Sequence, residues 1–176
     1  MTDKDHTQAQ QDNQDSSRSD HALSRLDPLV GEWKVEISIP GQVMDGGKST
    51  FEWLEGGSFL AQRDIAAPLP PGAPPEWEAN APTHTTQIIG LDDSSDTFYM
   101  LYADSRSVFR VYQMTLSDGV WKIWRDAPGF NQRFTGTFSD DGNTITGQYE
   151  FSSDGTTWSK DFDLTYRKVT SSEPQA

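Results

Sequence analysis

Residues Leu29–Ile39 read "LVGEWKVEISI". A tryptophan two residues after a glycine heads a run in which Trp33, Val35, Ile37 and Ile39 alternate with Lys34, Glu36 and Ser38. A period of two puts the four apolar side chains on one face of an extended strand. The stretch therefore predicts a first strand with one buried face, and the question becomes what that face is buried against.

Upstream, "SDHALSRLDPLVG" spaces Leu23, Leu26 and Leu29 by three, with Ser19 or Asp20 as N-cap and Pro28 limiting the length. That predicts one short helix, the only sizeable one in the chain. Residues 1–19 are rich in Gln, Asp and Ser, too polar to offset the entropy of ordering them, and are read as a disordered tail. The last residues, 170–176, are read in the same way.

Downstream the period of two persists. Ten strands are predicted, at about 33–39, 49–54, 59–65, 83–91, 97–103, 108–116, 120–125, 130–138, 144–151 and 157–168. Three of the links, "LSDGVW", "SDDGNT" and "SSDGTT", carry Asp-Gly, whose glycine tolerates the positive φ of tight hairpins. Short links favour an antiparallel meander, and its apolar face is buried either between two packed sheets or by closing into an up-and-down barrel. Closure also removes the exposed edges. The prediction is an all-β, antiparallel up-and-down barrel of about ten strands with a short N-terminal helix, spanning residues 20–169 as one domain.

One link breaks the rhythm. "AAPLPPGAPPEWEANAP", residues 66–82, repeats proline, which favours stiff, extended backbone outside the barrel wall. Trp77 within it either folds over the barrel mouth or covers exposed core.

Composition narrows the function. With Lys+Arg 14 against Asp+Glu 27, the formal charge is -13, which repels phosphates and argues against nucleic acid or an anionic membrane as partner. There is no cysteine, so disulfides, thiolate metal sites and cysteine nucleophiles are excluded. The N-terminus lacks the basic start and apolar stretch of a signal peptide and no window approaches a membrane span, so a cytoplasmic location is expected by default.

With "GEWKV", "FEWLEGGSFLAQR" (51–63), "IIGLDDSSDTFY" (88–99) and "FSDDGNTITGQYEFSSDGTTWSKDFDLTYRK" (138–168) in view, the chain resembles the calycin superfamily of lipocalins and fatty-acid-binding proteins. More closely, it resembles a bacterial family of lipocalin-like barrels that is a domain of unknown function. The resemblance implies that Gly31 lets the entering helix pass closely and that Trp33 plugs one end of the barrel. It also implies a basic residue, Arg167 or Arg125, stacked on Trp33. Nitrobindin-like haem barrels belong to the same structural neighbourhood and hold haem through a histidine late in the chain. Here the last two strands contain no histidine, so no haem or other cofactor is expected.

Alternation assigns inward sets, among them Trp33, Val35, Ile37 and Ile39, and also Phe109 and Val111. Several polar residues fall in phase with them: Arg63 after Phe59 and Ala61, Gln113, Arg125, Gln132, and Lys160 between Trp158 and Phe162. Buried charges need partners, water or a ligand. The candidate ligand-binding set is therefore Arg63, Tyr102, Arg125, Phe134, Tyr149, Trp158 and Lys160, taking a small apolar or anionic amphipathic molecule. The competing reading has Arg63, Arg125 and Lys160 reaching solvent at strand ends.

Catalytic spacings are absent: "GGSFL" fails as a nucleophile elbow, and there is no His-Glu-x-x-His, Walker loop or dinucleotide fingerprint. The aspartates of "LDDSSD" and "SDDGN" read as turn residues, and no metal site is expected. Two alternatives remain. One is acid–base chemistry in the cavity, of the isomerase or cyclase type, through His84, Asp64, Tyr102 or Glu52. The other is a filled barrel whose Pro-rich loop contacts a partner or a second copy of the chain as a homodimer.

Overall fold

In a computed structural model describing residues 22–170, ten strands follow one another. They are β1 (Gly31–Ile39), β2 (Gln42–Trp53), β3 (Leu60–Ile65), β4 (His84–Asp92), β5 (Thr97–Asp104), β6 (Phe109–Ser117), β7 (Val120–Arg125), β8 (Asn131–Phe138), β9 (Thr144–Ser152) and β10 (Ser159–Lys168). Each is antiparallel to its chain neighbour, and β1 also pairs with β10, so the meander closes on itself as a barrel. Residues 1–21, which contain the N-terminal tail with His6 and also His21, and residues 171–176 of the C-terminal tail lie outside the described residues. Among the described residues no helix is long and apolar enough to cross a membrane.

One end is sealed. The leucine segment forms a 3-10 helix, Ser24–Leu29, which contains Pro28 and buries Leu26 and Leu29 completely. Trp33 Nε1 donates to the Leu29 carbonyl at 2.8 Å, so the ring is buried without an orphaned donor. Phe138 and Tyr166 meet it edge-on, each at 6.4 Å. Gly31 sits at φ 127°, where a Cβ would stand 3.2 Å from Lys168 Cε. The residue stacked on Trp33 is Lys168, its ammonium 5.1 Å from the ring, rather than Arg167 or Arg125. The register explains this, because Lys168 lies directly opposite Trp33 and Arg167 is one residue out of phase.

Above the plug, Phe51, Trp121 and Phe134 interlock edge to face, with Trp121 5.9 Å from Phe51 and 5.1 Å from Phe134. The Phe134 ring lies over the cross-strand pair Gly136 and Gly147.

The sequence-based boundaries hold to within two residues except at β2, which begins at Gln42, seven residues before Ser49. Two phases are reversed. In β6, Phe109 and Val111 face out, 65% and 43% exposed, while Arg110, Tyr112 and Met114 face in. In β3 the inward set is Leu60, Gln62 and Asp64, so Phe59 and Arg63 face out. Both strands carry apolar residues on both faces, so alternation alone fits either phase. The Pro-rich link, read as extended, instead contains a helix, α1 (Pro75–Asn80). Pro75 opens it with a φ already suited to a first helical turn.

A Cβ added at Gly147 would lie 2.4 Å from the Phe134 ring and 2.9 Å from the Thr135 carbonyl oxygen. Gly147→Ala is therefore expected to destabilise the barrel by about 1–3 kcal/mol through overpacking. A thermal melt would show it as a midpoint lower by roughly 2–4 °C per kcal/mol.

Candidate functional site

Above Trp121 and Tyr166 the barrel is hollow, with a cavity of about 820 Å³ opening at the end opposite the plug. A chamber this size is in the range that takes a small organic molecule. Its two sides differ in chemistry. The β3–β6 side supplies Gln62, Asp64, Thr85, Gln87, Tyr102 and Tyr112, whereas the β7–β1 side supplies chiefly Ile123, Tyr149, Phe162, Leu164, Val35 and Ile37.

Adjacent registers build the polar side. Gln62 lies opposite Gln87, and Asp64 opposite Thr85. The Asp64 carboxylate accepts from Ser49 Oγ at 2.6 Å, Thr85 Oγ1 at 2.6 Å, Gln87 Nε2 at 2.9 Å and Gln62 Nε2 at 3.0 Å. A charged group inside a barrel is tolerated when its lone pairs are filled in this way. Two buried polar atoms in the chamber wall have no hydrogen-bond partner, Gln87 Oε1 and Trp121 Nε1.

At the mouth, Tyr102 donates to Asp104 Oδ2 at 2.9 Å and Arg106 pairs with the same carboxylate, whose side chain is fully buried. Burial pushes the Asp104 pKa up, but hydrogen bonds from Arg106, Tyr102 and the Arg106 and Val108 backbones outweigh it and hold it well below the usual carboxylate value. Arg106 also donates to the Asn80 carbonyl at the end of α1, tying the strap of residues 66–82 to the rim. Leu69 and Trp77 of the strap line the mouth. Arg110 faces inward, stacked 4.0 Å over Phe130, and among the described residues no carboxylate is within ion-pair distance of it.

The expected site residues divide. Tyr102 and Tyr149 line the chamber. Phe134 lies below it, 4.8 Å from Tyr149. Arg125 is in phase with the buried Trp121 and Ile123 but lines a second pocket with Arg110, Tyr112 and Trp124 rather than the chamber, its guanidinium 3.5 Å from the Phe130 carbonyl. Arg63, Lys160 and Trp158 do not face the interior. Arg63 pairs with Glu52 outside, Lys160 with Asp163, and Trp158 stacks under Arg133 at 4.2 Å. In β10 a bulge between Lys160 and Phe162 reverses the phase that had placed Lys160 inward.

Of the acid–base candidates, Asp64 and Tyr102 reach the chamber, His84 stands exposed at its rim bonded to Thr83, and Glu52 lies outside. None of the other three is hydrogen-bonded to Asp64. Among the described residues no three His, Asp or Glu side chains gather as a metal-binding group. Ser49, Gln62, Gln87, Arg106, Arg110 and Trp121 were absent from the expected binding set. The available signal was Gln62-x-Asp64 and Thr85-x-Gln87, two polar pairs at spacing two in consecutive strands.

No protein-family model matches the chain, and no curated protein matches it. Among solved structures it is similar to the crystal structure of Rv2717c from M. tuberculosis, with a TM-score of 0.54 at 13% identity. The match covers 85% of this chain and 98% of that one, and at such identity it is a likeness of fold.

Two outcomes test this geometry. Burial pushes the phenols of Tyr149 and Tyr166 well above the ordinary value of 10.0, and the Asp64 charge adds to both shifts. Each phenol stays protonated in the folded chain where the unfolded chain ionises, so their stabilisation is complete below about pH 10 and falls as pH rises beyond it. Melting temperature should drop between about pH 9 and pH 11, less steeply in Tyr149→Phe. Separately, Arg106→Ala leaves the buried Asp104 without its cation. The expected cost is about 1–3 kcal/mol, together with faster proteolytic cleavage within residues 66–82.

Proposed function

We propose that the barrel reversibly binds one small, mainly apolar molecule in its interior chamber. The observation that carries this is a cavity of about 820 Å³ inside the barrel, lined largely by apolar side chains beside the patch of Gln62, Asp64, Thr85 and Gln87. A packed interior fills its volume. A wall divided into a polar and an apolar side suits a flat ligand with one polar edge. The anionic form of this reading moves to the mouth, because Arg63 and Lys160 pair with carboxylates outside and Arg125 does not line the chamber. Arg110 is the inward-facing cation that supports it, at the rim rather than the chamber floor.

Native mass spectrometry of the freshly purified protein, beside denaturing spectra of the same sample, tests the proposal. An added mass that disappears on denaturation is the expected result. A bare chain mass, followed by no calorimetric heat with fatty acids or with neutral and charged aromatic probes, would overturn it.

A further inference from the structure

One side of the barrel is apolar on the outside as well as within. Leu101 lies directly opposite Ile88 on β4 and Val111 on β6, so an apolar row crosses three strands on the outer surface. A second row runs beside it from Gly90 through Tyr99 and Gln113 to Trp124 on β7. The Phe59 ring lies over Gly90, where a Cβ would stand 2.9 Å from it. Phe109, opposite Ala103, extends a third row. Phe59, Tyr99, Leu101, Phe109 and Val111 are all exposed, whereas the solvated side of an antiparallel sheet is ordinarily polar.

Charge is sparse on this face although the chain is rich in it. Along Thr86–Gly90, Thr97–Ala103, Phe109–Thr115 and Val120–Trp124 the outward side chains include the single cation Lys122 and no carboxylate. Asp92 and Asp126 stand at its ends, in the turns. Residues 1–21 and 171–176 contain no Leu, Ile, Val, Phe, Trp or Tyr, so neither tail supplies an apolar cover. Two copies of a chain with a formal charge of -13 repel each other, and this face lets them meet without opposed carboxylates.

The face also has a hollow. The β6–β7 ladder stops at Gln113 opposite Trp124, while β6 extends beyond it to Phe109. The gap is a recess of about 430 Å³ bordered on the outside by Tyr99, Val111 and Trp124.

We propose that two copies of the chain pair through this face as a two-fold dimer. With the axis along β6, β5 of each copy lies across the β6–β7 region of the other. Leu101 then meets the partner's recess, Tyr99 meets Trp124 of the partner subunit, and Val111 meets its own equivalent. A bulky side chain and a hollow in the same row give the self-complementarity that a two-fold contact requires. Five strands about 4.8 Å apart and five residues of about 3.3 Å each make a face about 20 Å wide and 15 Å long. That stands at the small end of specific interfaces, about 1,200 Å² in total, where reversible pairing in the micromolar range is expected. Arg110 and Tyr112 line both the recess and the chamber, so pairing also shields this part of the chamber wall from outside.

Sedimentation velocity of the full chain from about 1 to about 500 μM, which spans the range of a small interface, tests the proposal. The expected result is a monomer–dimer equilibrium that tightens in added NaCl, because salt screens the repulsion between two acidic copies. Leu101→Glu and Leu101→Lys are each expected to raise the dimer Kd by about tenfold or more, since both bury a charge in the contact. The lysine variant has the lower net charge, so a loss in both separates this face from general repulsion. Val43→Glu, at an exposed position on β2 outside the face, should leave Kd within about twofold, with circular dichroism confirming the barrel in every variant. The chain has no cysteine, so Val111→Cys carries a single thiol, and a short bismaleimide should link two copies through it but not through Val43→Cys. A monomer at every concentration, a dimer indifferent to both Leu101 variants, or linkage through Val43→Cys as readily as through Val111→Cys would overturn the proposal.

Discussion

The pairing of β1 with β10 is the constraint on which the rest depends. From Trp33 opposite Lys168 to Ser38 opposite Asp163, these registers turn a ten-strand meander into a ring. Ring size then sets the interior. An eight-strand barrel is just wide enough for side chains to fill, and diameter grows with strand number, so ten strands leave space that inward residues do not occupy unless they are large. At one end they are large: Trp33, Phe51, Trp121 and Phe134 fill the section and the 3-10 helix caps it. Toward the other end Val35, Thr85 and Leu164 are too short to meet across the barrel, and the chamber results.

The chamber joins two requirements that usually oppose each other. Aromatic and aliphatic residues line most of it, yet it contains a carboxylate. The conflict is resolved within one patch of wall, where hydroxyl and amide donors on β2, β3 and β4 surround Asp64. These bonds cross adjacent strands, so the network also ties together the sheet that carries it.

Much of the fold was legible because local signals agreed. Asp-Gly turns, alternation in β1 and the spacing of Leu23, Leu26 and Leu29 all point to one closed meander entered from a short helix. The site was less legible, for a geometric reason. Which face of a strand is inward depends on a one-residue phase, and β3 and β6 have apolar residues on both faces. Reading Phe59–Ala61–Arg63 instead of Leu60–Gln62–Asp64 as the inner row exchanges a surface ion pair for the central carboxylate. The bulge in β10 has the same effect at Lys160, and no local residue pattern announces it. Tyr102 and Tyr149 stand on strands whose phase was clear, and both line the chamber.

The same β1–β10 seam orders events in time. Every other strand pair joins neighbours along the chain, contacts that form early and cheaply, whereas this one unites the two ends of the domain. A nascent chain can assemble the meander strand by strand, but until β10 emerges, β1 and β9 remain open edges. Trp33 also lacks the lysine that stacks on it, and the chamber has no closed circumference. The chamber is thus the last part of the barrel to form during synthesis, and the interval with open strand edges ends when Lys168 reaches Trp33.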